Sequence, residues 1–295
     1  MLTPQKERPQ IANELDVDNI VLKREDKNPY GSHKGRSIPL MIEEYLKQEK
    51  DKFVISSSGN AALAAVKKAQ ELSDKNKDIV LEVFVGKDIN KNKLNQIKQN
   101  TSEKITIKRK QRPKQAAFQK GKNQEWVYLR QSTDDLALKG YKQLAKELDN
   151  IENLQAVFIP TSSGTTAQGV FEGFTEAIDK PKEVPEIHIA QTEYCHPIAE
   201  EFDQDFKKQK NTSIASAIVD KVAHRKKKVI EAVKSSSGSG WVLSDKQIKQ
   251  AKNMTKEITG LDISANSALS IAATQKAKEK DCSWNGTVCC LICGE

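Results

Sequence analysis

The sequence predicts an α/β protein built from two three-layer αβα lobes with mostly parallel sheets. Short β-rich runs alternate with stretches of helical periodicity along nearly the whole chain. Strand–helix–strand alternation favours parallel strands with helices on both faces of each sheet. A chain of 295 residues can form two modest domains. We expect a smaller domain at 38–140 and a larger domain formed by 1–37 together with 141–295.

The predicted elements follow from apolar periodicity. Eight strands are expected, at 20–23, 53–56, 79–85, 104–108, 126–129, 155–159, 186–191 and 287–292. Four apolar helical faces are expected, within 38–46, 62–69, 141–148 and 265–272. Proline is tolerated only in the first turn of a helix, so Pro39 predicts a helix that starts near Ser37. The Lys- and Asn-rich run 86–103 predicts a solvated helix with its flanking turns, and 235–240 predicts a flexible connection.

Charge and cysteine content narrow the possible partners. Lysine and arginine number 48 against 40 acidic residues, a net charge of +8, with basic clusters at 104–114 and 224–228. Arginine and aromatic residues are scarce, so these clusters favour solvated surface over a nucleic-acid partner. No run approaches the apolar length of a membrane span, and the five cysteines suit a reducing cytoplasm. No metal site is expected, because adjacent cysteines in strand 287–292 point to opposite faces.

Three strand-to-helix turns carry small hydroxyl and glycine residues. They are Asn-Pro-Tyr-Gly-Ser-His-Lys-Gly-Arg at 28–36, Ser-Ser-Ser-Gly-Asn-Ala at 56–61 and Pro-Thr-Ser-Ser-Gly-Thr-Thr-Ala-Gln-Gly at 160–169. Converging N–H groups and hydroxyls at a helix start attract anions, so the third turn suits a phosphate and the second a carboxylate. Any one of these turns alone is also typical of an ordinary helix cap.

Together the three turns resemble the fold-type II pyridoxal-phosphate enzymes, the family of the tryptophan synthase β-subunit. Ser-His-Lys-Gly-Arg, Ser-Ser-Gly-Asn-Ala and Ser-Ser-Gly-Thr-Thr occur in the family's order and approximate spacing. Further similarities lie at 22–26, 191–193, 263–273 and 291–294. The resemblance implies pyridoxal 5′-phosphate as cofactor, held in the cleft between the two lobes, and a small amino-acid substrate.

The resemblance also implies a role for each matching residue. Lys34 would carry the cofactor as a Schiff base and move protons at the substrate. The substrate carboxylate would be held by Ser57, Ser58, Gly59, Asn60 and Ala61, with Asn60 also near the cofactor's 3-hydroxyl. The cofactor phosphate would be held by Ser162, Ser163, Gly164, Thr165 and Thr166. Cys293 would lie beside the pyridine nitrogen, and relatives are commonly homodimers.

Several residues depart from the family's pattern. Gly35 replaces the usual aspartate after the lysine. Ser162 and Thr165 stand where cysteine synthases carry glycine, which predicts a reshaped loop if either position needs a positive φ. These departures weaken the inference of a particular reaction more than they weaken the inference of the cofactor.

Within the family, the turn Ser-Ser-Gly-Asn-Ala is most similar to that of threonine synthases, which implies conversion of O-phosphohomoserine and water to threonine and phosphate. Two alternatives within the family stay open. The Thr-Thr-Ala-Gln-Gly end of the third turn favours cysteine synthase-like β-replacement, and Cys293 favours a serine or threonine dehydratase. A non-catalytic basic binding protein on the same fold is the alternative from another class.

Overall fold

The computed structural model describes residues 2–87, 89, 91–99, 101–176, 183–208 and 211–294. Backbone contacts divide the chain into unit 1, Met1–Lys27 with Tyr141–Glu295, and unit 2, Asn28–Gly140. The sequence-based division instead drew its first boundary after residue 37. Residues 28–37 pack within unit 2 because Gly140 approaches the backbone of Arg36 so closely that a Cβ at Gly140 would collide with the Arg36 carbonyl.

Unit 1 is built on a six-stranded sheet. Its strands are β1 (Gln5–Glu7), β2 (Asn19–Lys23), β7 (Leu154–Pro160), β8 (Glu186–Thr192), β9 (Gly240–Leu243) and β10 (Thr287–Leu291). They lie in the order β1-β2-β10-β7-β8-β9, and every pair is parallel except β1 with β2. Parallel pairing places the carboxyl ends of the five strands other than β1 at one edge, where the turns into helices lie.

Helices cover both faces of this sheet. They are α1 (Pro9–Leu15), α6 (Leu136–Leu148), α7 (Thr165–Thr175), α8 (Lys226–Ser235), α9 (Asp245–Thr259) and α10 (Ala265–Lys278). Helices α1, α9 and α10 share one apolar core with the sheet, and α6, α7 and α8 share the core on the other face. Cys290 belongs to the first core and Cys289 to the second, so the two thiols point to opposite faces as predicted.

Unit 2 is built on a four-stranded parallel sheet in the order β5-β4-β3-β6. Its strands are β3 (Lys52–Ser56), β4 (Val80–Gly86), β5 (Ile105–Lys110) and β6 (Val127–Tyr128). Its helices are α2 (Ile38–Leu46), α3 (Asn60–Asp74), α4 (Lys91–Lys98) and α5 (Pro113–Gly121). Helices α2 and α3 bury their apolar faces on one side of the sheet, and Ala117 of α5 packs with Val54 and Phe84 on the other.

Most predicted elements are confirmed. Each of the eight predicted strands has a counterpart, and α2 starts at Ile38 with Ser37 as its N-cap and Pro39 in its first turn. The prediction of a flexible connection at 235–240 is wrong. Ser236 is buried, its hydroxyl accepts from the Ile187 N–H and donates to the Val233 carbonyl, and β9 starts directly at Gly240. None of the helices in the described residues is long and apolar enough to cross a membrane.

Candidate active site

The turn that carries Lys34 is a short, tightly bonded 3-10 helix in unit 2. It spans His33–Arg36 and is preceded by Ser32, which is fully buried. The Lys34 N–H donates to the Ser32 hydroxyl at 3.3 Å, and the Gly35 N–H donates to the Ser32 carbonyl at 2.9 Å. Ser32 therefore fixes the backbone of the lysine turn at the point where the chain passes into α2.

Lys34 has no ion pair, in contrast to the three buried lysines of the described chain. Lys23, Lys68 and Lys276 have side chains at most 6% exposed, and each forms an ion pair with a carboxylate. Lys34 is partly buried, and among the described residues no carboxylate pairs with its ammonium. An amine that is not held by a carboxylate is available to react with a carbonyl carbon.

Gly35, where the family's pattern has aspartate, is required by close packing. A Cβ at Gly35 would collide with the side-chain oxygen of Asn28 and lie 2.8 Å from the Cβ of Tyr30. Asn28 is only 3% exposed, and its oxygen accepts from the Tyr30 N–H at 3.0 Å. The departure at Gly35 is thus matched by Asn28, which fills the space that a side chain would occupy.

The predicted carboxylate turn lies at the start of α3, also in unit 2. β3 ends at Ser56, α3 begins at Asn60, and Gly59 is its N-cap. The Ser57 hydroxyl accepts from the Gly59 N–H at 3.2 Å, while Ser58 is exposed. Gly59 has no side chain to cap the first-turn N–H groups of α3, which leaves a start that suits an anion.

The predicted phosphate turn lies at the carboxyl end of β7, in unit 1. β7 ends at Pro160, and α7 begins at Thr165 with Gly164 as its N-cap. Gly164 has φ +89°, and a Cβ there would lie 2.5 Å from Cγ2 of Val229, so both conformation and space require glycine. Neither Ser162 nor Thr165 has a positive φ, so a hydroxyl residue fits at both positions without strain.

The hydroxyl groups of this turn are held in place by neighbouring residues. The Ser162 oxygen accepts from the N–H groups of Val219 and Asp220, both at 3.2 Å. Two accepted bonds leave the Ser162 O–H as a donor. Ser163 and Thr165 lie within hydrogen-bond distance, with their hydroxyl oxygens 3.0 Å apart.

Gln191 supports the phosphate turn, and sequence reasoning identified it only as part of a strand end. It is fully buried at the carboxyl end of β8, and its side-chain N–H donates to the Thr161 carbonyl at 3.3 Å. Its side-chain oxygen accepts from the N–H groups of Ile198 and Ala199, at 2.9 and 2.8 Å. The available signal was a glutamine at the end of the predicted strand 186–191, but its partners are fixed only by the fold.

Cys293 lies in a turn at the end of β10, in unit 1. Its side chain is 3% exposed, and the following Gly294 has φ +93°. The hydroxyls of Ser264 and Ser267, at the start of α10, donate to the Gly294 carbonyl at 2.7 and 3.3 Å. The first turn of α10 therefore fixes the backbone beside Cys293.

The buried thiols of β10 are unsuited to nucleophilic chemistry. Burial raises the pKa of the Cys289 thiol and raises that of Cys290 to about 12, so both stay protonated at neutral pH. In the described residues no cluster of three or more His, Cys, Asp or Glu side chains is arranged to hold a metal ion.

The donor set of the phosphate turn fits pyridoxal 5′-phosphate. Residues 161–168 contain four hydroxyl groups beyond Thr161 and no acidic side chain. Gly164 leaves the first-turn N–H groups of α7 without a side-chain cap. Hydroxyls and N–H groups at the positive end of a helix match a phosphate dianion. Unit 1 thus carries the phosphate turn and Cys293, and unit 2 carries Lys34 and the turn at 57–61.

Comparison with known proteins supports pyridoxal 5′-phosphate as the cofactor. The sequence matches the family described as pyridoxal-phosphate dependent enzyme over residues 2–294. Threonine synthase of Methanocaldococcus jannaschii is 27% identical over 293 residues, which cover 92% of this chain and 68% of that protein. Threonine synthase of Methanosarcina acetivorans is 21% identical over 285 residues, covering 93% and 69%.

The fold is shared with solved structures at lower identity. The crystal structure of a pyridoxal 5′-phosphate-dependent aspartate racemase superimposes with a TM-score of 0.82 at 18% identity, covering 100% of this chain and 90% of that one. The family match spans nearly the whole chain and agrees with the order of the turns, the two α/β units and the phosphate-type donor set. The chain therefore belongs to the fold-type II family of pyridoxal 5′-phosphate-dependent enzymes.

Proposed function

We propose that this protein acts as a threonine synthase, converting O-phosphohomoserine and water to threonine and phosphate. One observation carries the proposal: both curated relatives described above are threonine synthases, and each aligns with more than nine-tenths of the chain. The turn Ser-Ser-Gly-Asn-Ala at 57–61 supports the same reading. In this reaction the bond from the substrate's γ-carbon to the phosphate oxygen breaks, phosphate leaves with the electron pair, and water supplies the hydroxyl group on the β-carbon.

Lys34 is proposed to hold the cofactor covalently and to move protons at the substrate. In the described part of the chain no carboxylate pairs with its side chain, so its amine is available for these roles. When bound, pyridoxal phosphate supplies an electron-withdrawing ring that makes the hydrogen on the substrate's α-carbon acidic. Ser32 holds the backbone at Lys34 and so restricts where that amine can reach.

The two anion-binding turns are proposed to orient the substrate and the cofactor. The start of α3, with Ser57, Ser58, Asn60 and Ala61, would bind the substrate carboxylate through N–H and hydroxyl donors. The turn 162–166 would bind the cofactor phosphate, and Gln191 would keep that turn in place. Cys293 would lie at the pyridine nitrogen, and a thiol in place of a carboxylate at that position would leave the nitrogen largely unprotonated.

A substrate panel on the purified holoenzyme tests the proposal. We expect O-phosphohomoserine to release phosphate and threonine in equal amounts, measured by a phosphate assay and by chromatography. Lys34→Ala should abolish this release. Lys77→Ala, which removes an exposed lysine elsewhere in unit 2, should leave it unchanged.

The other members of the panel decide between the alternatives. Cysteine from O-acetylserine and sulfide would establish β-replacement, and ammonia from serine or threonine would establish a lyase. Either result without release of phosphate from O-phosphohomoserine contradicts the proposal. Retention of bound cofactor without turnover of any of these compounds would instead favour a non-catalytic binding protein.

A further inference from the structure

Unit 1 contains a segment, directly before α8, that has neither helix nor strand and that none of the roles above uses. It spans residues 213–225, and we call it the bridging segment. Backbone N–H groups of an irregular segment need acceptors outside regular secondary structure. Several of those in the bridging segment find them in side chains of α9, α10 and the phosphate turn. The segment therefore connects elements that lie far apart in the sequence.

The bridging segment is anchored to the first turns of α9 and α10. The Ile214 N–H donates to Oδ1 of Asp245, at the start of α9, at 3.2 Å. The Ala217 N–H donates to Oδ1 of Asn266, in the first turn of α10, at 2.9 Å. Asn266 is only 8% exposed, so this bond fixes the segment to the interior of unit 1. The same turn of α10 fixes the backbone beside Cys293.

The next residues of the bridging segment hold Ser162 of the phosphate turn. The N–H groups of Val219 and Asp220 both donate to the Ser162 oxygen at 3.2 Å. These two bonds occupy the lone pairs of that oxygen and leave its O–H as a donor. Two residues of chain span at most about 7 Å, so the bond at Ala217 restrains the N–H groups that hold Ser162.

The two charged side chains nearest in sequence to this contact have other partners. Asp220 turns its carboxylate back onto its own chain, where Oδ1 accepts from two backbone N–H groups at 3.2 Å. The ammonium of Lys221 lies 5.1 Å from the centre of the Tyr194 ring. Backbone N–H groups, and not these charges, therefore orient the Ser162 hydroxyl.

We propose that Asn266 is a positioning residue for the cofactor phosphate, acting through the bridging segment on Ser162. The inference rests on the part of the proposed function that assigns the turn 162–166 to that phosphate. With Ala217 held, the Ser162 O–H is directed before the phosphate arrives, so binding does not have to order it. The phosphate turn and the turn of Cys293 are thereby both tied to the first turn of α10.

A comparison of two ligands measures this role without turnover. The full-length protein, freed of cofactor, is titrated with pyridoxal 5′-phosphate and with pyridoxal, and the absorbance change of the ligand reports binding. Pyridoxal keeps the aldehyde that reacts with a lysine but has no phosphate. The ratio of the two dissociation constants therefore measures recognition of the phosphate. Properties of free pyridoxal affect every variant equally and cancel when variants are compared.

Removal of the Asn266 amide should weaken binding of the phosphorylated ligand alone. We expect Asn266→Ala to raise the dissociation constant of pyridoxal 5′-phosphate about fivefold, the effect of one hydrogen bond, and to leave that of pyridoxal within about twofold. Asn253→Ala removes an exposed asparagine of α9 and should change neither constant.

A double-mutant cycle tests whether Asn266 acts through Ser162. Ser162→Ala should itself weaken pyridoxal 5′-phosphate, because it removes a donor to the phosphate. Once that hydroxyl is gone, adding Asn266→Ala should raise the dissociation constant by less than about twofold, because nothing remains to be positioned.

Hydrogen exchange of the native protein gives a readout that needs no variant. A phosphate bound by Ser162 should strengthen the restraint on the N–H groups that hold this residue. We expect pyridoxal 5′-phosphate to slow exchange in peptides from 213–225 more than pyridoxal does. Equal slowing by the two ligands counts against the inference.

The outcomes separate this inference from the proposed function. A native protein that binds pyridoxal as tightly as pyridoxal 5′-phosphate overturns the assignment of the phosphate turn, and this inference with it. If the native protein does prefer the phosphate, two results overturn the role of Asn266 alone. The first is an Asn266→Ala variant whose preference is unchanged, and the second is a full effect of Asn266→Ala in the absence of the Ser162 hydroxyl. A loss of preference that disappears without that hydroxyl supports the role, whichever reaction the substrate panel reveals.

Discussion

At the scale of single residues, the lysine turn shows how one unusual glycine is accommodated. Gly35 stands where the family's pattern has aspartate, and the structure gives the reason in the packing of Asn28. The Asn28 side chain is buried against Gly35, and its Oδ1 accepts from the Tyr30 N–H. Gly35 and Asn28 are therefore coupled, and neither is expected to be replaceable alone.

Gly35→Ala tests this coupling. The added Cβ collides with Asn28, and overpacking of this kind lowers the free energy of unfolding by about 1–3 kcal/mol. Gly86→Ala is the matched control, because its Cβ meets no atom within 4 Å, and it should change stability by about 0.5 kcal/mol or less. Urea unfolding of both variants measures the difference. Equal stability would show that Asn28 moves away without loss.

Sequence motifs point to the candidate site residues more readily than to the residues that hold those candidates in place. Lys34, the turn at 57–61 and Gly164 lie in local patterns whose order alone indicated the cofactor. Two supporting contacts form only when the chain folds. Asn28 fills the space beside Gly35. Gln191 donates to the carbonyl of Thr161. Side chains that meet only through the fold leave no local pattern, which is why these supporting contacts were missed.

At the scale of elements, β8 carries a buried polar cluster at its amino end. Nδ1 of His188 accepts from the Ser239 N–H and from the Trp241 indole N–H, at 3.1 and 3.2 Å. Nε2 must then carry the proton, and it donates to Glu186 at 2.9 Å. Glu186 also accepts from the Trp284 indole at 2.7 Å. His188 is thus a neutral structural residue that joins β8 to β9.

This cluster predicts a pH-dependent stability. Burial lowers the pKa of His188 below its usual value, so the unfolded chain takes up a proton that the folded state does not. Stability contributed by the neutral ring is complete above the unfolded pKa of about 6.5 and falls as pH drops below it, by up to about 1.4 kcal/mol per pH unit. His188→Gln keeps a donor and an acceptor but cannot titrate.

Urea unfolding between about pH 5.5 and 7.5 checks this prediction. We expect the free energy of unfolding of the native protein to fall as the pH is lowered. His188→Gln should be less stable than the native protein at about pH 7.5, and its free energy of unfolding should depend less on pH. His224→Gln removes an exposed histidine and should keep the native slope. A slope in His188→Gln as steep as that of the native protein would assign the effect to another group.

The elements that sequence reasoning missed have weak or interrupted patterns. β1 is three residues long, and β9, Gly-Trp-Val-Leu, is buried at every position and shows no alternation. The serines and glycines before β9 were interpreted as a linker from composition alone. Gly238 instead packs against the backbone of Ile187, where a Cβ would collide with the carbonyl. Composition does not distinguish a flexible glycine from one required by close packing.

At the scale of the whole molecule, cofactor binding is expected to stabilise the fold. A ligand that binds only the folded state at about 100 times its dissociation constant adds about 2.7 kcal/mol. Pyridoxal phosphate should therefore raise the urea midpoint of the native protein and of Lys77→Ala. The gain should be smaller in Lys34→Ala, which keeps the phosphate turn but loses the covalent link. No shift in the native protein would contradict the cofactor assignment.

The identity of the lysine that carries the cofactor is the central claim. Holoenzyme is reduced with borohydride and digested, and the peptides are examined by mass spectrometry, with Lys34→Ala treated in parallel. We predict a pyridoxyl group on the peptide that contains Lys34. In the Lys34→Ala variant, we expect no peptide to be labelled to a comparable extent. A pyridoxyl group on a different lysine, or none on the native protein after loading with cofactor, would contradict the account.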